Sequence, residues 1–236
     1  NDSSVVGVIA GACSACSIEA AKVANTRQIP LISLAPATGV VSVTKPDGKA
    51  FDENFVFKLG PNSGDNVRAL TTEMIKVTGK STGLKVGVLR AQGAYPAAVV
   101  DPKDASKNAP DEPTVASQTG MANLGTVVSN VEFAADGSNL APQVVEMVGD
   151  KPDAVFVWAL PAQAAMAIDA LKVANFKGPI YLDGAAAGSL FLANNAIENT
   201  TIAFPQTLAM DDVIATTPAK AARKQWFEDY TARYGA

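Results

Sequence analysis

Cys13-x-x-Cys16 is the one spacing in this sequence that invites a covalent chemical reading. Two cysteines three positions apart at a helix start can form a redox pair, because the N–H groups of a helix N-terminus stabilise a thiolate. The same spacing also suits a local disulfide or two inert buried thiols. Those readings together outweigh redox catalysis, since the motif is diagnostic mainly in its proper fold context. Two cysteines without any histidine leave a zinc site short of ligands. The lack of histidine also removes the Ser-His and Cys-His nucleophile pairs. No nucleophile–base pair can be named, so the chain reads as a binding protein rather than an enzyme, with no cofactor and no metal.

A second group of residues suits non-covalent recognition. Small and hydroxyl-bearing residues follow several β-rich runs, at Gly11-Ala12-Cys13-Ser14-Ala15, Ala35-Pro36-Ala37-Thr38, Ala91-Gln92-Gly93-Ala94-Tyr95 and Asp183-Gly184-Ala185-Ala186-Ala187. Small side chains let a ligand approach the backbone. Hydroxyls such as those of Ser14 and Thr38, with free N–H groups at a helix start, suit a carboxylate. Asp183 could pair with an ammonium, and Tyr95 and Trp158 could supply flat apolar walls. Each residue has a plainer reading: Ser14 and Ser17 as N-caps, Thr38 as loop, Tyr95 as packing, Trp158 as core, Asp183-Gly184 as a turn pair. It is the joint pattern that points to a crevice. The sequon Asn199-Thr200-Thr201 is too short a pattern to weigh.

The elements that must position these residues alternate along the chain. Strands are expected at Val5–Ala10, Leu31–Leu34, Phe55–Leu59, Leu84–Leu89, Thr126–Val131, Ala154–Trp158, Ile180–Leu182 and Thr201–Phe204. Helical spacing appears in Val67, Leu70 and Met74; in Leu140, Val144, Met147 and Val148; in Ala164, Ile168 and Leu171; and in Phe227, Tyr230 and Tyr234. Each set should lay one apolar stripe against a sheet. The result is an α/β fold with parallel strands. Residues 36–54 read as a long surface loop. The prolines at 96, 102, 110 and 113 argue against a full helix in 96–125, leaving at most a short one near Val115 to Leu124.

The totals exclude other classes. A net charge of −4 and a pI near 4.9 give no support to nucleic-acid binding. The chain shows no run long and apolar enough for a membrane helix, no signal-peptide pattern and no fixed-period repeat. At 236 residues and 48% hydrophobic content it can build one large domain or two modest lobes.

Taken in order, Val6-Gly7-Val8-Ile9-Ala10-Gly11, Cys13-Ser14, Ile29-Pro30-Leu31-Ile32-Ser33, Ala37-Thr38, Phe55-Val56-Phe57-Lys58-Leu59-Gly60-Pro61, Val86-Gly87-Val88-Leu89 and Lys151-Pro152-Asp153-Ala154-Val155-Phe156 resemble the branched-chain amino-acid-binding proteins of bacterial ABC importers. The resemblance implies a type I periplasmic-binding fold: two Rossmann-like lobes with parallel sheets, joined by crossover strands and closing like a hinged clamp. Carried over, residues 1–57 and 208–236 form an incomplete first lobe and 58–207 the second, with crossovers at Phe55–Leu59 and Ile202–Phe204. The family's carboxylate-binding positions fall on Ser14, Ala37 and Thr38, its pocket tyrosine on Tyr95, and its ammonium-binding acid on Asp183, where a Glu often stands. The family begins with two further βα units and continues past Gly235, so the resemblance implies a chain truncated at both ends. The implied function is an extracytoplasmic solute-binding protein, periplasmic or extracellular, with or without a lipid anchor. It would bind a hydrophobic amino acid or related small carboxylate and deliver it to a membrane permease. The alternatives are a sensory domain of the same fold and, in another class, a thiol oxidoreductase using Cys13 and Cys16.

Overall fold

The computed structural model describes residues 4–93, 125–187, 199–203 and 216–235. Tyr95 and the short helix expected near 115–124 lie outside the described residues. The chain divides into two compact units, Asn1–Ala203 and Phe204–Ala236.

The first unit carries all eight expected strands, in two sheets. In the first, β1 (Val8–Ala10) is followed by α1 (Ser14–Arg27), β2 (Leu31–Ser33) and β3 (Val56–Lys58), with strand order β1-β2-β3. All pairings are parallel. Leu31 and Val56 pack under Ala21 and Ala24 of α1, with Ala35, Ala37 and Val40 closing this small core. The other face carries a row in register across the three strands, Ile9, Ile32 and Phe57, and this row is exposed. Between β2 and β3 the chain makes the expected loop. It contains a 3-10 turn at Thr38–Val40 and a bridge from Thr44 to Ala50, closed by Gly48 at φ 80°.

The second sheet is the larger. After α2 (Ser63–Thr78) come β4 (Leu84–Ala91), β5 (Gly125–Phe133), α3 (Leu140–Gly149), β6 (Ala154–Trp158), α4 (Pro161–Val173), β7 (Ile180–Leu182) and β8 (Thr200–Ile202). The order is β5-β4-β6-β7-β8, parallel throughout. Every residue of β6 is buried, as expected for a strand covered on both faces. The apolar stripes fall where their spacing placed them: Val67, Leu70 and Met74 on α2, Leu140, Val144 and Met147 on α3, and Ala164, Ile168 and Leu171 on α4 all enter one core.

The second unit contains α5 (Pro218–Tyr234), and here the stripe expectation is corrected. No residue of α5 is buried, and Trp226, Tyr230 and Tyr234 are exposed. Spaced four apart, these three rings lie on one face and stack on one another, with centroids 5.5 and 4.9 Å apart. The spacing is helical, but among the described residues of this unit no strand receives the stripe.

Candidate ligand cleft at the strand carboxyl ends

Parallel strands bring all their carboxyl ends to one edge of a sheet. In the larger sheet the order places β4 beside β6 with their connections leaving in opposite directions, a topological switch point. Ligands bind in the crevice outside such strand ends. The residues standing there are Ala91-Gln92-Gly93 after β4 and Trp158-Ala159-Leu160 after β6. The first sheet reaches the same point: Sγ of Cys13, in the turn after β1, lies 3.4 Å from the carbonyl oxygen of Gly93. Ala12 packs against the core of the larger sheet beside it. The carboxyl ends of the two sheets therefore meet at the switch point.

The turn after β1 is built by Cys13. It forms a disulfide with Cys16 and acts as N-cap of α1, its Sγ accepting from the Cys16 N–H at 3.2 Å. Neither Ser14 nor Ser17 is the N-cap. Ser17 is satisfied differently, its hydroxyl donating to the Gly11 carbonyl at 3.2 Å. Ser14, the first residue of the helix, is fully buried and its Oγ has no hydrogen-bond partner among the described residues. A buried polar atom without a partner costs free energy, so each one requires an explanation. Gly11 adds room beside it: a Cβ built there would meet no described atom within 4 Å.

After β2, the hydroxyl of Ser33 accepts from the Ala35 N–H at 3.1 Å and bends the chain. Ala37 is buried, and Thr38 opens the 3-10 turn. After β3, the ammonium of Lys58 donates to the Gly60 carbonyl at 2.6 Å, the Pro61 carbonyl at 3.1 Å and the Asn62 side chain at 3.1 Å. That clamp shapes the passage from the first sheet into α2, whose apolar face belongs to the second.

On the second sheet, Asp183 follows β7 and caps the 3-10 turn Gly184–Ala186, accepting from the Ala185 N–H at 3.4 Å. It is 1% exposed and also accepts from the Asn66 amide at 3.1 Å. Trp158 is equally buried, stacked on Phe156 at 5.3 Å with 8° between the ring planes. It stands in the core at the root of the switch point. Glu132, near the end of β5, faces Arg90 at 3.4 Å and accepts from Gln92 at 3.2 Å.

Ser14, Ala37 and Thr38 thus stand on one sheet's carboxyl ends, and Asp183 and Trp158 on the other's. Sequence reasoning missed Asn66 and the Lys58 clamp. Asn66 had a signal, being a polar residue in line with Leu70 and Met74 at intervals of four. An open depression of about 490 Å³ lies elsewhere, lined among others by Lys22, Arg27, Lys45 and Phe51. It sits at the far end of α1 from Ser14. Among the described residues no group of His, Cys, Asp and Glu could hold a metal ion, and no helix is long and apolar enough to cross a membrane.

Residues 1–236 match a family model described as periplasmic binding protein. The chain belongs to the periplasmic binding protein family. No curated protein matches it in sequence. Among solved structures, this periplasmic binding protein is similar to an extracellular ligand-binding receptor from Rhodopseudomonas palustris HaA2, with 24% identity, a TM-score of 0.71, and coverage of 98% of this chain and 59% of that one. It is similar to a solute-binding protein of an R. palustris ABC transporter solved with benzoate, at 18% identity and TM-score 0.63, covering 97% and 56%. A third is the branched-chain amino acid transporter substrate-binding protein of Streptococcus pneumoniae solved with isoleucine, at 20% identity and TM-score 0.63, covering 99% and 59%. At these identities the likeness is one of fold, type I and α/β with parallel sheets. This periplasmic binding protein spans less than three-fifths of the length of each of these structures.

Proposed function

We propose that this chain is the ligand-binding part of an extracytoplasmic solute-binding protein that serves an ABC importer. The two sheets are the cores of its two lobes, and a hydrophobic amino acid or related small carboxylate is held between their carboxyl ends. The observation that carries the reading is the orphaned hydroxyl of Ser14, buried in the turn that meets the larger sheet at its switch point. A ligand carboxylate is the acceptor such a hydroxyl lacks, and the N–H groups at the start of α1 favour an anion there. Thr38 and Ala37 complete the carboxylate end, and Asp183 and Trp158 stand on the opposite side. Isoleucine and benzoate, bound by two of the similar proteins, have in common only a carboxylate and an apolar body. Apolar burial would then supply most of the affinity, at about 25 cal/mol per Å².

Calorimetry on the full-length protein with hydrophobic amino acids and small carboxylates tests this. Binding of at least one class is expected, and silence across the panel would sink it. Ser14→Ala should weaken binding about tenfold or more, the worth of a hydrogen bond to a charged group, while leaving the empty protein at least as stable. The receptor description of one similar structure favours a second reading, a sensing domain of the same fold. Loss of solute uptake on deletion of the gene distinguishes transport from sensing.

A further inference from the structure

We infer that the Cys13–Cys16 disulfide is a positioning link for the carboxylate end of the cleft, so that affinity for a carboxylate follows its oxidation state. The inference rests on the solute-binding reading above and adds a control to it. The ring closed by the disulfide encloses Ser14 and Ala15. Ser14 carries the buried hydroxyl without a partner among the described residues, and it opens α1, where helix N–H groups lack intrahelical acceptors. The sulfur of Cys13 is bonded to Cys16, accepts from the Cys16 N–H at 3.2 Å, and lies 3.4 Å from the carbonyl oxygen of Gly93, in the turn after β4. So short a loop contributes little through the unfolded chain, because that contribution grows with the number of residues enclosed. What the disulfide fixes is local: the backbone that presents Ser14, and the sulfur that abuts the second sheet. A seat held in its binding conformation before the ligand arrives loses less freedom on binding.

Cys16 is exposed and Cys13 half-buried, so a thiolate can reach the link. The co-reactant is a dithiol. Its first thiolate attacks Sγ of Cys16, and the S–S bond breaks with its electron pair leaving on Cys13. The Cys16 N–H and the helix start support that charge. The reductant's second thiolate then displaces Cys16 from the mixed disulfide. The reductant ends as its own disulfide, and the two cysteines hold the two electrons and two protons it gave up. The reduced side chain meets Gly93 differently: a thiolate is repelled by the carbonyl oxygen and a thiol donates to it, whereas the disulfide does neither. With the ring open, Cys13 regains its rotamers and the first turn of α1 is free to fray. Both changes fall on the turn that presents Ser14.

Calorimetry on the unaltered full-length protein, oxidised and then reduced with dithiothreitol, tests the inference with benzoate, 4-methylpentanoate and leucine as probes. Whichever probe binds the oxidised protein should bind the reduced one about tenfold or more weakly, the worth of a hydrogen bond to a charged group. Reoxidation should restore the affinity. The double variant Cys13→Ser with Cys16→Ser should bind as weakly as the reduced protein and ignore the reductant. Amide exchange over residues 13–17 should quicken on reduction, while the larger sheet keeps its protection. A lower melting temperature with unchanged affinity, measured well below both melts, would make the disulfide merely structural and overturn the inference while leaving the solute-binding reading intact. Unfolding of the reduced protein at the working temperature also overturns it, since the disulfide would then hold the whole fold. No binding of any probe by the oxidised protein overturns both.

Discussion

Asn66 and Asp183, 117 positions apart in the chain, are joined side chain to side chain at 3.1 Å, and both are buried. Asn66 belongs to the helix that leaves the first sheet, and Asp183 to the turn after β7 in the second. The bond holds the start of α2 against the carboxyl edge where a ligand would sit, which links the packing of a helix to the shape of the cleft.

Asn66→Ala should therefore destabilise the protein by about 1–3 kcal/mol, the cost of leaving a buried carboxylate short of a donor. Urea denaturation should show a lower midpoint with an unchanged slope.

Gly60 sits where the chain turns from β3 towards α2, and a Cβ there would come within 2.8 Å of the Leu34 carbonyl oxygen. That neighbour is backbone and cannot rotate away. Gly60→Ala should cost about 1–3 kcal/mol through overpacking, seen as a lower melting temperature. An unchanged melt would show that the β2 and β3 exits move freely.

Tyr181 lies in the core beside Phe156, with ring centroids 5.8 Å apart, and its hydroxyl has no partner among the described residues. Burial first, and the charge of Glu73 second, raise its pKa to about 12. The folded state thus holds the phenolic proton more tightly than the unfolded chain, where tyrosine titrates near 10. This stability is fully present below about pH 10 and is lost as pH rises towards the folded value. Tyr181→Phe should remove that alkaline loss and, by deleting an unsatisfied buried hydroxyl, raise stability near neutrality by about 1 kcal/mol. Thermal melts between pH 8 and 11 would record both effects.

Asp153 behaves in the opposite sense. Burial opposes its ionisation, but hydrogen bonds from the Lys80 ammonium at 2.6 Å and the Lys85 N–H at 2.9 Å outweigh it and hold the carboxyl below its ordinary value. A depressed folded pKa contributes stability above the unfolded value of about 3.9, lost as pH falls through the folded one. Asp153→Asn should flatten the acid limb of the stability profile below about pH 4. An acid limb identical to that of the unaltered protein would remove Asp153 from the account.

Local periodicity determined much of this molecule. Alternation of β-branched runs with stripes such as Val67, Leu70 and Met74 was enough for eight strands and a parallel α/β fold, because burial of one face is a property of each short segment. The chemistry at the strand ends was legible for the same reason: Ser14, Ala37 and Asp183 follow their strands directly. Whatever depends on partners distant in the chain was decided by tertiary structure alone. The spacing Cys13-x-x-Cys16 was equally compatible with a disulfide, two thiols or a redox pair, and the folded turn joins them. Ser14 and Ser17 look alike in sequence, yet the turn satisfies one hydroxyl and leaves the other bare. The aromatic spacing of α5 is helical whether or not a sheet lies beneath it. That Asp183 would be joined to Asn66 was decided only by the fold, since a hydrogen bond across 117 positions leaves no trace in either segment.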